Sequence, residues 1–195
     1  EGGRFAYAGF GFGSFLFASI VLQVAAYYAA AAVLVLLGYG HVRLRRWARP
    51  LTLALLWAWA VLGVPLLVVL FFLTASVKEF SVPGAVLFVA LLALSYLVLP
   101  WVGTRFYRGQ AVREAFEAQG AEPGAVDARP VAILVLCLLD LFFLAALHVP
   151  LLFRGLFPVF GTLQGGMAGT YLIDASVLGL AVLAWGTWEQ RPWAW

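Results

Sequence analysis

Three ionisable side chains stand where a chain this apolar has little room for them. Asp140 and His148 interrupt one apolar run, and Asp174 interrupts the next. An aspartate near the middle of a bilayer costs about 2.5–3.5 kcal/mol on the insertion scale, so each calls for a partner or a task. The run that carries Asp140 begins at Pro130, which sets the carboxyl roughly 15 Å deep at a rise of about 1.5 Å per residue. Asp174 lies at a similar depth, counted from the opposite end of its own run. Consecutive helices joined by a modest loop pack antiparallel, so the two carboxyls could meet, and like charges in such a site would keep one protonated. That is the chemistry of a proton or ion path. The plainer use is hydrogen-bonded carboxyls that hold helices or a neighbouring subunit together. His148 follows Asp140 by eight residues, about 12 Å along a helix and too far for a direct bond. Gln23, Tyr96, Thr170 and Tyr171 are the candidate uncharged partners.

Other chemistries have less to rest on. A metal centre needs three or more convergent ligands, whereas His41 and His148 are expected on opposite sides of the membrane and Cys137 is the single cysteine. The opening GGRFAYAGFGFG is not a phosphate loop, because no strand precedes it and no GK[ST] follows. It reads instead as a lead-in along the membrane interface. The nucleophile elbow GxSxG and the zinc signature HExxH are missing from the sequence, so an enzyme has no specific residues to build on. No cofactor is encoded by a recognisable motif. Basic residues form no groove for nucleic acid, and that partner class is set aside.

The elements that must position these residues are membrane spans. Of 195 residues, 65% are hydrophobic and 11% charged, and the mean hydropathy is +1.00, which lies outside the range of soluble domains. Apolar runs of about 20 residues match the thickness of the hydrocarbon core. The spacing predicts an all-α integral membrane helix bundle in one domain, with spans at about 14–38, 51–74, 84–102, 130–153 and 163–185. Pro50 suits the first turn of its helix, and Pro65 is expected to kink the same helix. The chain opens at Glu1 rather than methionine and closes among tryptophans, as a trimmed version of a longer product would. Scarce asparagine and lysine with abundant alanine, glycine and arginine point to a GC-rich genome.

Orientation follows from arginine. The joints at 39–50 and 103–129 carry Arg43, Arg45, Arg46, Arg49, Arg105, Arg108, Arg113 and Arg129, against Lys78 and Arg154 in the alternate joints. Positive residues stay in the cytoplasm, so the expected topology is five helices, N-out and C-in, in a bacterial inner membrane. Within the second arginine joint, Val112, Ala115 and Phe116 recur at helical spacing, and Arg113 and Glu117 form an i,i+4 pair. A short amphipathic surface helix is expected there. Close helix packing is expected at Ala29–Ala32 in the first span and at Gly161, Gly165 and Gly169, whose four-residue steps would line one helix face.

The run Arg45-Arg46-Trp47-Ala48-Arg49-Pro50, with Pro100, Arg105-Phe106-Tyr107-Arg108 and Val112-Arg113, resembles small polytopic bacterial membrane proteins that share an RWAR-type helix start and an FYR-type exit. The resemblance implies an inner-membrane location and no catalytic residues. The leading functional expectation is a non-enzymatic accessory or scaffolding subunit whose partners are membrane lipid and other membrane-protein subunits. A small transporter or proton-conducting component using Asp140 and Asp174 comes second, and a membrane enzyme acting on lipid or quinone third.

Overall fold

A computed structural model describes residues 20–76, 82–118, 124–148 and 156–194. The glycine-rich lead-in, Lys78, Glu79, Arg154 and the end of the fourth expected span lie outside the described residues. The protein is mostly helical. Helix α1 spans Ile20–Val42 and α2 spans Ala48–Ser76. Helix α3, Val82–Ala93, passes through a π-helical turn, Leu94–Val98, into α4, Leu99–Tyr107. Then come α5, Gln110–Ala118, α6, Val131–Ala146, and α7, Gly166–Trp188. Among the described residues, three helical stretches are long and apolar enough to cross a membrane: Ala48–Phe72, Pro83–Tyr107 and Gly166–Trp188. Tyr28–Val42 and Val131–Ala146 are shorter apolar helices.

Helix α2 is central, touching α1, the α3–α4 helix and α6, while α7 packs on α6. The buried side chains follow this order: Leu53, Ala54 and Ala58 on α2, Ile133 and Leu134 on α6, and Ile173 on α7. Glycine permits the closest approaches. A Cβ at Gly63 would stand 2.7 Å from the Tyr96 Cβ, and one at Gly103 would stand 2.9 Å from a Leu56 methyl. Helix α2 therefore takes Tyr96 of the π turn into a glycine notch, and α4 takes Leu56 of α2 into another. Pro65 is accommodated inside α2, which runs on to Ser76. Pro100 sits at the start of α4, just past the π turn, where Leu99 N–H reaches back to Leu94 O. A proline ring clashes with the carbonyl four residues earlier, and the wider turn relieves that clash.

Both helix ends nearest the clustered arginines close in the same way. Leu44 N–H donates to His41 O and Arg45 N–H to Gly40 O, with Leu44 at φ 45°. Gln190 N–H donates to Thr187 O and Arg191 N–H to Gly186 O, with Gln190 at φ 54°. These are paired 5→2 and 6→1 bonds around a left-handed residue, which satisfy carbonyls that a helix end leaves open. In each case a tryptophan seven residues beyond the glycine folds back onto it, Trp47 over Gly40 and Trp193 over Gly186. The spacing G-x4-R-x-W occurs at both places in the chain.

The fifth expected span requires correction at its start. Phe157–Val159 pairs antiparallel with Thr162–Gln164, joined by Phe160 and Gly161 at φ 43° and 84°. Two central residues in the left-handed region make the hairpin turn that matches strand twist. Gly161 thus lies in a turn, and Gly165 is the N-cap of α7. Only Gly169 of the three is helical, and it is buried. The four-step glycine pattern is not one helix face, because Gly161 supplies positive φ and Gly165 helix entry. The chain is therefore not purely α-helical, and α7 begins at Gly166 rather than at 163.

Candidate functional site

Polar contacts gather where the arginine-bearing joints meet. His41, in the last turn of α1, places Nδ1 2.7 Å from Leu37 O. A carbonyl only accepts, so Nδ1 carries the proton and Nε2 of the neutral ring is an acceptor. The Tyr107 hydroxyl, at the end of α4, lies 2.9 Å from Nε2 and donates to it. Thr52 on α2 gives its own proton to Ala48 O at 2.8 Å and sits 3.4 Å from the same nitrogen. Phe116 of α5 is buried and meets the imidazole edge-on at 5.5 Å. Arg49 Nε donates to Tyr107 O at 2.9 Å, which caps a carbonyl left open at the end of α4 with a cation. One histidine thereby ties together helices that are distant in sequence.

The amphipathic helix is present as α5. Arg113 Nε bonds Glu117 Oε1 at 2.7 Å, one helical turn away. The hydrogen bond from Arg113, together with the nearby charges of Arg113, Arg46 and Arg49, holds the Glu117 carboxyl below its ordinary range. The bond to Glu117 raises Arg113 in turn. Ala111, Val112, Ala115 and Phe116 face His41, Leu44, Phe106 and Tyr107 across a shallow cleft. The apolar face of α5 is therefore turned toward the ends of α1 and α4.

Three arginines at this end lie over tryptophan rings: Arg108 over Trp57 at 5.6 Å, Arg129 over Trp188 at 5.2 Å and Arg191 over Trp185 at 5.9 Å. Arg129 also reaches Glu189 at 4.0 Å. These contacts, with Arg49 on Tyr107, place both arginine-bearing joints and the C-terminal tail at one end of the bundle. Trp57 separates two apolar grooves. One, of about 500 Å³, runs between α2 and the π turn with α4; the other, of about 400 Å³, runs between α2 and α6 and includes Arg108.

The two aspartates stand on neighbouring helices, Asp140 on α6 and Asp174 on α7. Helices α6 and α7 do pack, and antiparallel, as Arg129 beside Glu189 and Cys137 Sγ near Ala184 O show. That register sets Asp140 level with about residue 180, so Asp174 sits roughly 8–10 Å farther along at the helical rise. That register sets the two carboxyls apart along the helix pair. Asp140 is half-buried and Asp174 exposed. Neither makes a hydrogen bond or ion pair among the described residues. His148 turns Nδ1 back to Leu144 O at 2.7 Å and Thr170 turns to Gly166 O at 3.0 Å, each on its own helix. Tyr96 packs against Gly63 and Trp59.

The sequence does not pair His41 with Tyr107, which is 66 positions away. The only signal was that each arginine joint holds one polar ring beside a helix end. No group of three or more metal-ligating side chains occurs among the described residues. No protein-family model, curated protein sequence or solved structure matches the chain.

Proposed function

We propose that this protein is a non-enzymatic integral membrane protein of a bacterial inner membrane, serving as an accessory or scaffolding subunit of a larger membrane assembly. In this reading α1, α2, α3–α4, α6 and α7 cross the bilayer, N-out and C-in, as a single domain with the arginine-bearing end in the cytoplasm. The observation that carries the subunit role is α1. Tyr28–Leu36 is exposed at every position, and a Cβ at Gly38 would meet nothing within 4 Å. Helices associate in lipid through close packing of small residues and through interhelical hydrogen bonds, not through a hydrophobic drive. A helix with Ala29–Ala32 and Gly38 open on its surface, and with Leu37 and Gly40 its buried positions among the described residues, is built to receive another helix.

The test is purification in a gentle detergent with a size and composition measurement. A stoichiometric membrane partner, released by Gly38→Leu, is expected. A monomer that is indifferent to that substitution would contradict the role.

Proton conduction through Asp140 and Asp174 has weaker support, because the carboxyls sit at different levels and His148 is turned onto its own backbone. If it operates, Asp140→Asn with Asp174→Asn abolishes pH-driven flux in vesicles while leaving the fold intact.

A further inference from the structure

The arginine–tryptophan stack between the two grooves has the form of a lipid seat. Trp57 is part of both groove walls, with Leu56, Ala60 and Leu97 on one side and Val61 and Val135 on the other. Arg108 lies over the tryptophan face at 5.6 Å. Stacking occupies the face of a guanidinium and leaves its edge, with the N–H donors, open to a phosphate in two-point fashion. Arg108 has no carboxylate partner among the described residues. Arg105, three residues earlier and also exposed, adds a second cation near the same helix end. The grooves begin at this charged end and run inward past Ala60 on one side and Val61 on the other, about 15 Å from Pro50 at the helical rise. Each has a volume within the roughly 300–1,000 Å³ of small-molecule sites.

From this geometry we infer a specific site for an anionic two-chain phospholipid, its phosphate on Arg108 and its acyl chains in the grooves on either side of Trp57. The inference goes beyond the subunit role and does not depend on it. It requires only that α2, α4 and α6 lie in a membrane. Two features select the occupant. A single apolar helix from a partner would fill one groove and leave the guanidinium edge unpaired, whereas a phospholipid supplies both chains and the anion. A soluble phosphate would leave both grooves open.

The experiment is native mass spectrometry of the full chain purified in the presence of equal amounts of phosphatidylglycerol and phosphatidylcholine. Phosphatidylglycerol should be retained over phosphatidylcholine by about fivefold or more, the factor expected of one arginine at a lipid surface. Arg108→Gln should erase that preference. Arg43→Gln, which removes the same charge from the other arginine joint, should keep it. Ala60→Trp fills the first groove without touching a charge and should lower retention of both lipids severalfold, which keeps the test open if the Arg108 variant fails to fold. Wild-type preference in Arg108→Gln, equal loss in Arg43→Gln, or unchanged retention in Ala60→Trp would overturn the site. So would displacement of the lipid by millimolar inorganic phosphate, which would reveal a site for the anion alone.

Discussion

His41 shows how much structure one side chain can organise. Its two ring nitrogens are assigned by neighbours of fixed chemistry: a carbonyl on Nδ1 and a phenol on Nε2. Tyr107→Phe removes the donor and leaves Nε2 without its partner, at an expected cost of about 0.5–1.5 kcal/mol. Thermal unfolding of the wild type, Tyr107→Phe, His41→Ala and the double variant would show it. The two single losses should fail to add, and full additivity would mean that the bond carries nothing. Glu117 responds to acid. Its pKa is depressed in the folded state, chiefly by the hydrogen bond from Arg113. The stabilisation is therefore present above the usual glutamate value near 4.5 and is lost as pH falls through the lower folded value. Amide exchange in α5 should speed up as pH falls below that point, beyond the intrinsic change, and Glu117→Gln should show the faster exchange already at pH 6. Exchange in α5 that tracks the intrinsic rate throughout would contradict the pairing. The i,i+4 spacing of Arg113 and Glu117 was legible in the sequence, whereas His41 and Tyr107 carry no mark that they face each other.

Helices were more legible than their junctions. Long apolar runs between arginines announced α2, the α3–α4 helix and α6, and the apolar i,i+3/i+4 spacing with Arg113 and Glu117 announced α5. The hairpin before α7 was hidden because residues 157–162 fall in the joint ahead of the expected span, and Gly161 stands at a helix-compatible step from Gly165 and Gly169. What separates the two readings is a backbone angle at Gly161, which composition does not record. Glycine roles divide likewise by what stands opposite. Gly63→Ala should destabilise by about 1–3 kcal/mol, because its Cβ would enter the Tyr96 side chain. Gly179→Ala in α7 meets nothing within 4 Å and should be neutral or stabilising by up to about 1 kcal/mol. Comparing the thermal midpoints of the two variants checks this, and a Gly63 variant as stable as the Gly179 variant would refute the notch. At the end of α7, Gly186→Ala should push Trp193 off the helix and change its fluorescence with little loss of helicity.

Across the molecule, clustered arginines proved the most informative signal in the sequence. Positions 39–50 and 103–129 converge on one end through Arg49, Arg108 and Arg129, and the tail joins them through Arg191 over Trp185. The hairpin Phe157–Gln164 lies at the start of α7, the opposite end from Glu189 and Arg191. Asp140 and Asp174 were visible as anomalies but not as a site, because their levels depend on helix register, which the length of an apolar run does not specify. The central proposal is that these helices cross a bilayer with the arginine-rich joints at 39–50 and 103–129 and the C-terminal tail on the cytoplasmic side. It is tested by single cysteines at Gln110, Leu163 and Gln190 in a Cys137→Ala background, treated in intact spheroplasts with a membrane-impermeant maleimide. Labelling of the Leu163 cysteine alone, with the Gln110 and Gln190 cysteines reacting only after permeabilisation, is the expected result. If the Gln110 and Gln190 cysteines behave differently from each other, or if all three label at once in sealed cells, the account is contradicted.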